Sequence, residues 1–256
     1  MSKTRWVSVL LCVSVLANLV FVAAGALYVF YMRKHGGLAR VVGEYGAPSH
    51  IALNRNIDSL VRRSLFKTLE STSSDSPSIF LGDSLTELCE WSELVSAPVL
   101  NRGISNDTTL DILDRLDAIL ALRPKAIYLM IGINDAAQRS SVADAAGRYE
   151  QILQTIHKTS PATRVYIQSV LPVLSTGPLV RALGRDRGPA LNQWVQEMNQ
   201  KLSSFADGKS TFYINIHDDL LANNELDPRY TVDGIHLSGE GYAVWKQRVL
   251  PLVSRR

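Results

Sequence analysis

Apolar and polar positions change period repeatedly between residue 77 and the end of the chain. Five short apolar runs indicate β-strands: Ile79–Leu81, Val99–Leu100, Ala126–Ile133, Arg164–Val173 and Thr211–Ile216. The intervening segments carry apolar side chains at helical spacing: one near Leu85, then 108–122, Val142–Lys158, Ala190–Phe205 and Gly239–Val253. Strands that alternate with helices predict an α/β domain with a parallel, doubly wound sheet.

Residues 36–76 are predicted to form a connector in front of this domain. Its first part is rich in glycine. From Asn56 to Glu70, apolar residues recur at helical spacing and predict an amphipathic helix: Ile57, Leu60, Val61, Leu65 and Leu69. The polar segment Ser71–Ser78 then leads into the domain, which is expected to occupy residues 77–256.

The N-terminal pattern differs, because Trp6–Met32 carries no charge and Asn18 is its only strongly polar side chain. About 20 apolar helical residues cross a bilayer core, so residues 1–35 are predicted to form a short cytoplasmic tail and a single membrane span. A cleaved signal peptide is the alternative, with Lys3 and Arg5 before the apolar run and Ala24–Ala26 as a cleavage site. A buried soluble helix is a third. The length of the run favours the uncleaved anchor.

The charges around this segment say little about orientation. Lys3 and Arg5 precede it, and Arg33, Lys34 and Arg40 follow it, so neither side has a clear excess of positive charge. Almost the whole chain follows the segment. We therefore expect a single-pass protein of the cell membrane, with its domain on the extracytoplasmic side.

Composition and charge exclude several classes of protein. Apolar residues make up 46% of the 256 residues and charged residues 20%, which is typical of a globular protein. The net charge is +3 and no basic run is interleaved with aromatic residues, so a nucleic-acid partner is not expected. Cys12 and Cys89 lie in unrelated segments and predict neither a disulfide framework nor a metal site.

Polar residues gather where the predicted strands end. Gly82-Asp83-Ser84 follows the first strand, Asn101–Thr108 the second and Gly132–Asp135 the third, while Asp233 and His236 precede the last helix. The carboxyl ends of parallel strands meet at one edge of a sheet, where α/β proteins bind their ligands. We therefore expect these residues to form one site.

Three of these side chains suit acyl transfer through a serine. Ser84 is the candidate nucleophile and needs a base, which histidine supplies near neutral pH. His236 is the candidate base, and Asp233, three residues before it, can orient its ring. Of the five histidines, His217 after the fifth strand is the alternative base.

The reaction also needs hydrogen-bond donors for the oxyanion of the tetrahedral intermediate. Gly103 can bring a backbone amide close to the substrate, since it lacks a side chain. Asn134 offers a side-chain amide, and the backbone amide of Ser84 lies near a helix start. These three groups are the predicted oxyanion hole.

The four blocks "GDSL", the segment around Gly103, "GIND" and "DGIH" resemble, in this order, those of the SGNH (GDSL-type) hydrolase family. The resemblance covers residues 77 to 253. The stretches "FLGDSLTE" and "LMIGIND" are most similar to the branch related to the catalytic subunits of platelet-activating-factor acetylhydrolase. The resemblance to the SGNH family implies a flavodoxin-like three-layer α/β/α sandwich with a five-stranded parallel sheet. It also implies hydrolysis of esters or thioesters without metal or organic cofactor.

The resemblance assigns the roles already suggested for Ser84, His236, Asp233, Gly103 and Asn134. One departure is Asn106, where the family often has glycine; asparagine tolerates a left-handed backbone better than most residues. Four polar neighbours are expected mainly to brace the loops: Asp83, Asn101, Arg102 and Asp107. The insert Leu174–Pro189 is expected to face the substrate.

The leading hypothesis is a membrane-anchored serine esterase that removes a short acyl group, such as acetyl, from a lipid or an O-acylated glycan. An acyltransferase with the same residues, or a non-catalytic binding module on the same fold, are the alternatives. Three apolar residues after the nucleophile could line an acyl pocket or belong to the core: Leu85, Leu88 and Trp91.

Overall fold

The computed structural model of the chain describes residues 50–69, 76–95, 98–184 and 186–253, with side chains from residue 57 onward. Residues Ile57–Arg256 form one compact unit. Its sheet has five parallel strands in the order β2-β1-β3-β4-β5. Their bounds are β1 Ser78–Gly82, β2 Val99–Gly103, β3 Ala126–Met130, β4 Arg164–Gln168 and β5 Thr211–Ile214.

Helices connect the strands and precede the sheet. In the described ranges these are α1 His50–Thr68, α2 Ser84–Glu87, α3 Trp91–Leu94, α4 Thr109–Leu120, α5 Ile133–Ala137, α6 Val142–Thr159, α7 Pro178–Leu183, α8 Arg187–Ser204 and α9 Gly239–Val253. Two 3₁₀ turns, His217–Leu220 and Pro228–Tyr230, flank a small hairpin of β6 Leu221–Ala222 and β7 Glu225–Leu226.

One face of the sheet carries a row of aromatic rings in direct register across four strands. Phe80 and Tyr128 stack at 4.8 Å between ring centroids, Tyr128 and Tyr166 at 4.8 Å, and Tyr166 and Phe212 at 5.2 Å. Trp91 of α3 stacks on Phe80 at 3.9 Å. Cross-strand aromatic pairs add to the free energy gained by burial, so this face anchors the middle of the sheet.

Helix α9 covers the same face, since Trp245 contacts Trp91 edge-on at 4.8 Å. The opposite face is covered by helices that include α6, whose buried Tyr149 donates a hydrogen bond to the carbonyl of Leu129 at 3.2 Å. α4 and α6 pack against each other on that side. The chain therefore has the predicted three layers, and its strand order is the flavodoxin-like one.

Three predicted strands end earlier than their apolar runs, β5 by only two residues. β3 stops at Met130 because Gly132 has a φ of 141° and turns the chain into α5. β4 stops at Gln168, and the buried apolar run after it is a loop. Asparagine side chains there take the place of the backbone hydrogen bonds that a neighbouring strand would make. Asn199 and Asn192 each bond both the amide and the carbonyl of one loop residue, at 2.8–2.9 Å.

The predicted membrane span, Trp6–Met32, lies outside the described residues. Among the residues that are described, no helix combines the length and the apolar character that crossing a bilayer requires. The helix predicted over Asn56–Glu70 is present and forms the second half of α1.

Candidate active site

The end of β1 places Ser84 at the first position of α2. Asp83 caps this helix through its side chain, which accepts a hydrogen bond from the Leu85 amide at 3.0 Å. Gly82 allows the tight turn, because a Cβ there would lie 2.2 Å from the carbonyl oxygen of Met130. The serine is thus held at the carboxyl edge of the sheet, at the point where strand order reverses between β1 and β3.

Three side chains from two distant parts of the chain form a continuous hydrogen-bonded series. The Oγ of Ser84 lies 2.9 Å from Nε2 of His236, and Nδ1 of His236 lies 2.6 Å from a carboxylate oxygen of Asp233. With a proton on Nδ1 donated to Asp233, Nε2 is free to accept the serine proton. The geometry is that of a nucleophile, a base and an orienting acid.

Backbone amides of its own loop also hold the carboxylate of Asp233, in addition to the ring of His236. Its other carboxylate oxygen accepts hydrogen bonds from the amides of Ile235 at 2.9 Å and His236 at 2.8 Å. Partial burial tends to raise the pKa of Asp233, but the His236 ring and these two amides outweigh it and hold that pKa below its ordinary value. Asp233 therefore stays ionised beside the imidazole.

Asn134 lies in the first turn of α5, directly after β3. Its side-chain nitrogen donates one hydrogen to the carbonyl of Asp107 at 2.9 Å. An amide nitrogen carries two hydrogens, so the second remains for another acceptor. The bond to Asp107 fixes Asn134 beside the loop that follows β2.

Gly103 does not have the role that the sequence predicted. Its backbone amide donates to the side-chain oxygen of Asn101 at 2.9 Å. A Cβ at this position would lie 2.2 Å from the amide nitrogen of Glu87 in α2. The glycine is therefore needed for the close approach of β2 to α2, and its amide is not a free oxyanion donor.

Asn106, in the same loop, has the free backbone amide that Gly103 lacks. Its φ is 68°, in the left-handed region that glycine and asparagine tolerate. Within the described part of the chain, nothing accepts a hydrogen bond from its amide. The signal was available in the sequence, because Asn106 stands where the related family often has glycine.

A family model for GDSL-like lipases and acylhydrolases matches residues 80–244. That range contains all three members of the Ser84–His236–Asp233 series. The chain belongs to the GDSL-like lipase/acylhydrolase family. No curated relative matches the chain at a significant level.

Solved structures with the same fold extend this result. A Streptococcus pneumoniae protein provisionally described as a platelet activating factor is 28% identical over 79% of this chain and 97% of its own, with a TM-score of 0.70. A GDSL-like lipase from Bacteroides thetaiotaomicron is 22% identical over 79% and 98%, with a TM-score of 0.63. An acetylxylan esterase from Geobacillus stearothermophilus is 13% identical over 73% and 98%, with a TM-score of 0.57.

In this GDSL-like hydrolase, buried ion pairs hold the loops of the site together. Arg115, on α4, bonds the carboxylate of Asp107 at 2.7 Å and the carbonyls of Gly82 and Arg102 at 3.1 and 2.8 Å. Asn101 donates to the carbonyls of Glu87 and Cys89, both at 3.0 Å. The bracing role predicted for Asp107 and Asn101 is thus confirmed, whereas the sequence gave no signal for Arg115.

A second buried cluster connects the Asn134 segment to α4. The carboxylate of Asp135 accepts from the amide and hydroxyl of Thr109 at 2.9 and 2.6 Å, and from Arg148 at 3.0 Å. Asp135 is 1% exposed. The residue after the candidate oxyanion donor is therefore fixed by several hydrogen bonds.

His217, the alternative base, is used elsewhere in the GDSL-like hydrolase. Its Nδ1 lies 2.8 Å from the carboxylate of Asp218, and its backbone amide donates to Ser169 at 2.9 Å. It borders a polar cavity of about 400 Å³ that is also lined by Asn199 and Tyr213. The residue that reaches Ser84 is His236.

Leu85 and Trp91 belong to the hydrophobic core, at 2% and 1% exposure, and do not line an open pocket. Leu88 points outward instead. Among the described residues, no group of three or more histidine, cysteine or acidic side chains is arranged to hold a metal ion.

The insert predicted to face the substrate lies against the loop that carries the acid. The amide of Leu174 donates to the carbonyl of Gly234 at 2.9 Å, and that of Leu179 to the carbonyl of Asp233 at 3.1 Å. A Cβ on Gly177 would lie 2.4 Å from the Cα of Gly234. At its other end, Arg187 donates to two carbonyls of α5, at 2.9 and 3.0 Å. The insert therefore connects the Asp233 loop with the helix of Asn134.

Two buried carboxyl groups near Ser84 have raised pKa values. Burial raises the pKa of Asp83 to about 7, against the hydrogen bond from Leu85, and the carboxylates of Asp107 and Asp135 add to the rise. Burial also raises the pKa of Asp107 to about 6, although Arg115 and Arg63 oppose it. Each group takes up a proton more readily in the folded protein than in the unfolded chain.

We expect Asp83→Asn to flatten the pH dependence of stability. The pKa of this carboxyl is higher in the folded protein than in the unfolded chain. Its contribution to stability is therefore complete below pH 3.8 and is lost as the pH rises through about 7. The free energy of unfolding should fall across this window by at most about 1.4 kcal/mol per pH unit for this group. Urea denaturation at several pH values would measure it.

The matched control is Asp117→Asn, an exposed aspartate on α4. Asparagine at position 83 keeps the oxygen that accepts from Leu85, so loss of the cap should not confuse the result. Burial of Asp107 also makes the free energy of unfolding fall as the pH rises, so Asp83→Asn should reduce this pH dependence without abolishing it. Equal slopes for Asp83→Asn and Asp117→Asn would contradict the prediction.

Proposed function

We propose that this hydrolase is a membrane-anchored serine esterase that removes short acyl groups, acetyl in particular, through an acyl-enzyme. The observation that carries the proposal is the series from Ser84 Oγ to His236 Nε2, at 2.9 Å, and from His236 Nδ1 to Asp233, at 2.6 Å. It supplies a serine with a base and an orienting acid, which are the parts that acyl transfer requires.

In the first half of the reaction, Ser84 Oγ attacks the ester carbonyl while His236 Nε2 takes its proton. The carbonyl oxygen becomes an oxyanion, for which three donors are at hand: the amides of Ser84 and Asn106 and the second hydrogen of Asn134. When the intermediate collapses, the bond to the alcohol breaks and His236 returns the proton to it. The acyl group remains on Ser84 as an ester.

The second half uses the same groups with water as the nucleophile. His236 removes a proton from water, the hydroxide oxygen attacks the acyl carbon, and the oxyanion again forms at the same donors. Collapse releases the carboxylic acid, and the proton on His236 returns to Ser84. Asp233 stays ionised in both halves and holds the ring in place.

Three observations support the choice of a short acyl group and an anchor. The chain is similar to a structure described as a platelet activating factor, and two further neighbours are described as acetyl xylan esterases. The uncharged segment Trp6–Met32 supports attachment to a membrane, and we place the domain on the extracytoplasmic side because almost the whole chain follows that segment. The substrate class is thus an acylated lipid or an O-acylated glycan.

The test is a series of p-nitrophenyl esters from acetate to palmitate, given to the full chain in detergent micelles. We expect kcat/KM to be highest for acetate and to fall as the chain lengthens. Release of free acetic acid should match release of p-nitrophenol when a sugar acceptor is present. A preference for palmitate would overturn the short-acyl assignment, and acetylation of the sugar would show an acyltransferase instead.

A further inference from the structure

Helix α1 contacts the domain through the side that carries its arginines. Its partly buried residues in the compact unit recur at helical spacing on one face: Ser59, Arg62, Arg63 and Phe66. Ser59 donates to the carbonyl of Ser105 at 3.1 Å, and Arg62 to the carbonyl of Gly103 at 2.9 Å. The face that amphipathic helices normally turn outward is therefore the face that packs.

The charged contacts of this face reach the loop that carries Asn106. Arg63 bonds the buried carboxylate of Asp107 and, at 3.0 Å, that of Asp111. Arg62 pairs with Glu87 at 3.1 Å. These bonds fix which side of the helix faces the domain, so the opposite side must face away from it.

The outward side is an apolar stripe. We call it the α1 stripe: Ile57, Leu60, Val61, Leu65 and Leu69, which are between 47% and 65% exposed. Burial of a large aliphatic side chain contributes about 1.5–3 kcal/mol relative to exposure. A contiguous row of such residues on a surface marks a site of association with a lipid or protein surface.

The sequence before the helix indicates which surface this is. Trp6–Met32 is uncharged and long enough to cross a bilayer, and 24 residues lie between Met32 and Ile57. Fully extended they span at most about 85 Å, and at shorter extension they allow the helix to lie on the bilayer surface. Lys67, exposed in the last turn, adds a positive charge that anionic headgroups attract.

Two exposed leucines also flank the domain residues that α1 contacts. Leu110 is 54% exposed and precedes Asp111, which Arg63 binds. Leu88 is 58% exposed and follows Glu87, which Arg62 binds. The domain residues next to the contacts of α1 therefore also present large apolar side chains.

We propose that the α1 stripe lies in the headgroup region of a lipid bilayer while the polar side of α1 holds the loop of Asn106. The inference rests on the membrane attachment proposed above. It gives that attachment an orientation, because the loops at the carboxyl edge of β1 and β2 then lie next to the lipid surface. The substrate ester is accordingly presented at the bilayer surface.

The experiment uses the full chain in phosphatidylcholine–phosphatidylglycerol vesicles, with a nitroxide on Leu60→Cys in a Cys12→Ser background. Cys89 is buried and stays in place. We expect the nitroxide at position 60 to collide readily with lipid-soluble oxygen and several-fold less with a water-soluble nickel complex. The matched control is Lys209→Cys on an exposed turn before β5, which should show the reverse. Both variants should keep wild-type kcat on p-nitrophenyl acetate.

Three results would overturn the proposal. A nitroxide at position 60 that the nickel complex reaches as easily as position 209 would show that the stripe faces water. Protection from both reagents would show that other residues of the same chain cover it. Strong spin–spin broadening would show a second copy of the chain there.

Flotation of the full chain with the vesicles separates this inference from the proposed attachment. A chain that does not float overturns both. A chain that floats, with position 60 open to the nickel complex, overturns only the docking of the stripe. Flotation together with the expected oxygen preference supports both.

Discussion

Ser84→Ala is expected to lower kcat/KM for ester hydrolysis by a factor on the order of 10⁴ or more. In the proposed reaction, the hydroxyl oxygen of Ser84 becomes acylated, and its proton leaves along the 2.9 Å hydrogen bond to His236. Without it, water must attack the ester directly, assisted only by the remaining donors. Initial rates on p-nitrophenyl acetate would measure the loss.

Intact-mass analysis after treatment with a fluorophosphonate gives an independent readout, because the reagent adds to an activated serine. Wild type should gain one adduct and Ser84→Ala none. Ser203→Ala, on the exposed side of α8, is the matched control and should behave as wild type. The hydroxyl of Ser84 makes its hydrogen bond to His236 alone among the described residues, so the fold and its melting temperature should persist. Adduct formation on Ser84→Ala would show that another residue is the nucleophile.

Asn134→Ala should lower kcat on the order of 10²–10³-fold and leave KM nearly unchanged. In the proposed reaction, the second hydrogen of its amide bonds charge that develops only in the transition state, so ground-state binding should hardly change. Steady-state kinetics on p-nitrophenyl acetate separates the two parameters. A rise in KM at constant kcat would instead indicate a contact with the bound ester.

Asn134 also supports the neighbouring loop, so a structural effect must be separated from a catalytic one. Its side chain donates to the carbonyl of Asp107 at 2.9 Å. Loss of that bond should lower the melting temperature by a few degrees, whereas a thousand-fold fall in kcat needs the lost donor. Asn215→Ala, at the end of β5, removes an asparagine from another strand end and should leave kcat unchanged.

Much of the fold followed from the apolar pattern, because each central strand is buried on both faces and is bounded by polar residues. β1, β3 and the helices α4, α6 and α9 were predictable for this reason. α5, α7 and the β6–β7 hairpin were not, since elements of two to six residues are too short to show a period. They form where glycines and neighbouring loops turn the chain.

The site, too, was only partly predictable from the sequence. The positions of Ser84, Asp233 and His236 after strand ends were enough to predict the contacts from Ser84 to His236 and from His236 to Asp233. The role of Gly103 depends on how closely α2 approaches β2, which no local pattern reveals. The outward orientation of the α1 stripe likewise depends on the ion pair between Arg63 and the buried carboxylate of Asp107. The usual rule for amphipathic helices predicts the opposite orientation.

The contact between the insert and the Asp233 loop has a consequence for any exchange of the insert. Two backbone hydrogen bonds and the close approach of Gly177 to Gly234 join the two segments. A donor loop grafted from a homologue without a glycine at 177 would displace the acid and, with it, the imidazole. Replacement of the insert alone would therefore change turnover, and both segments must be exchanged together as one cassette.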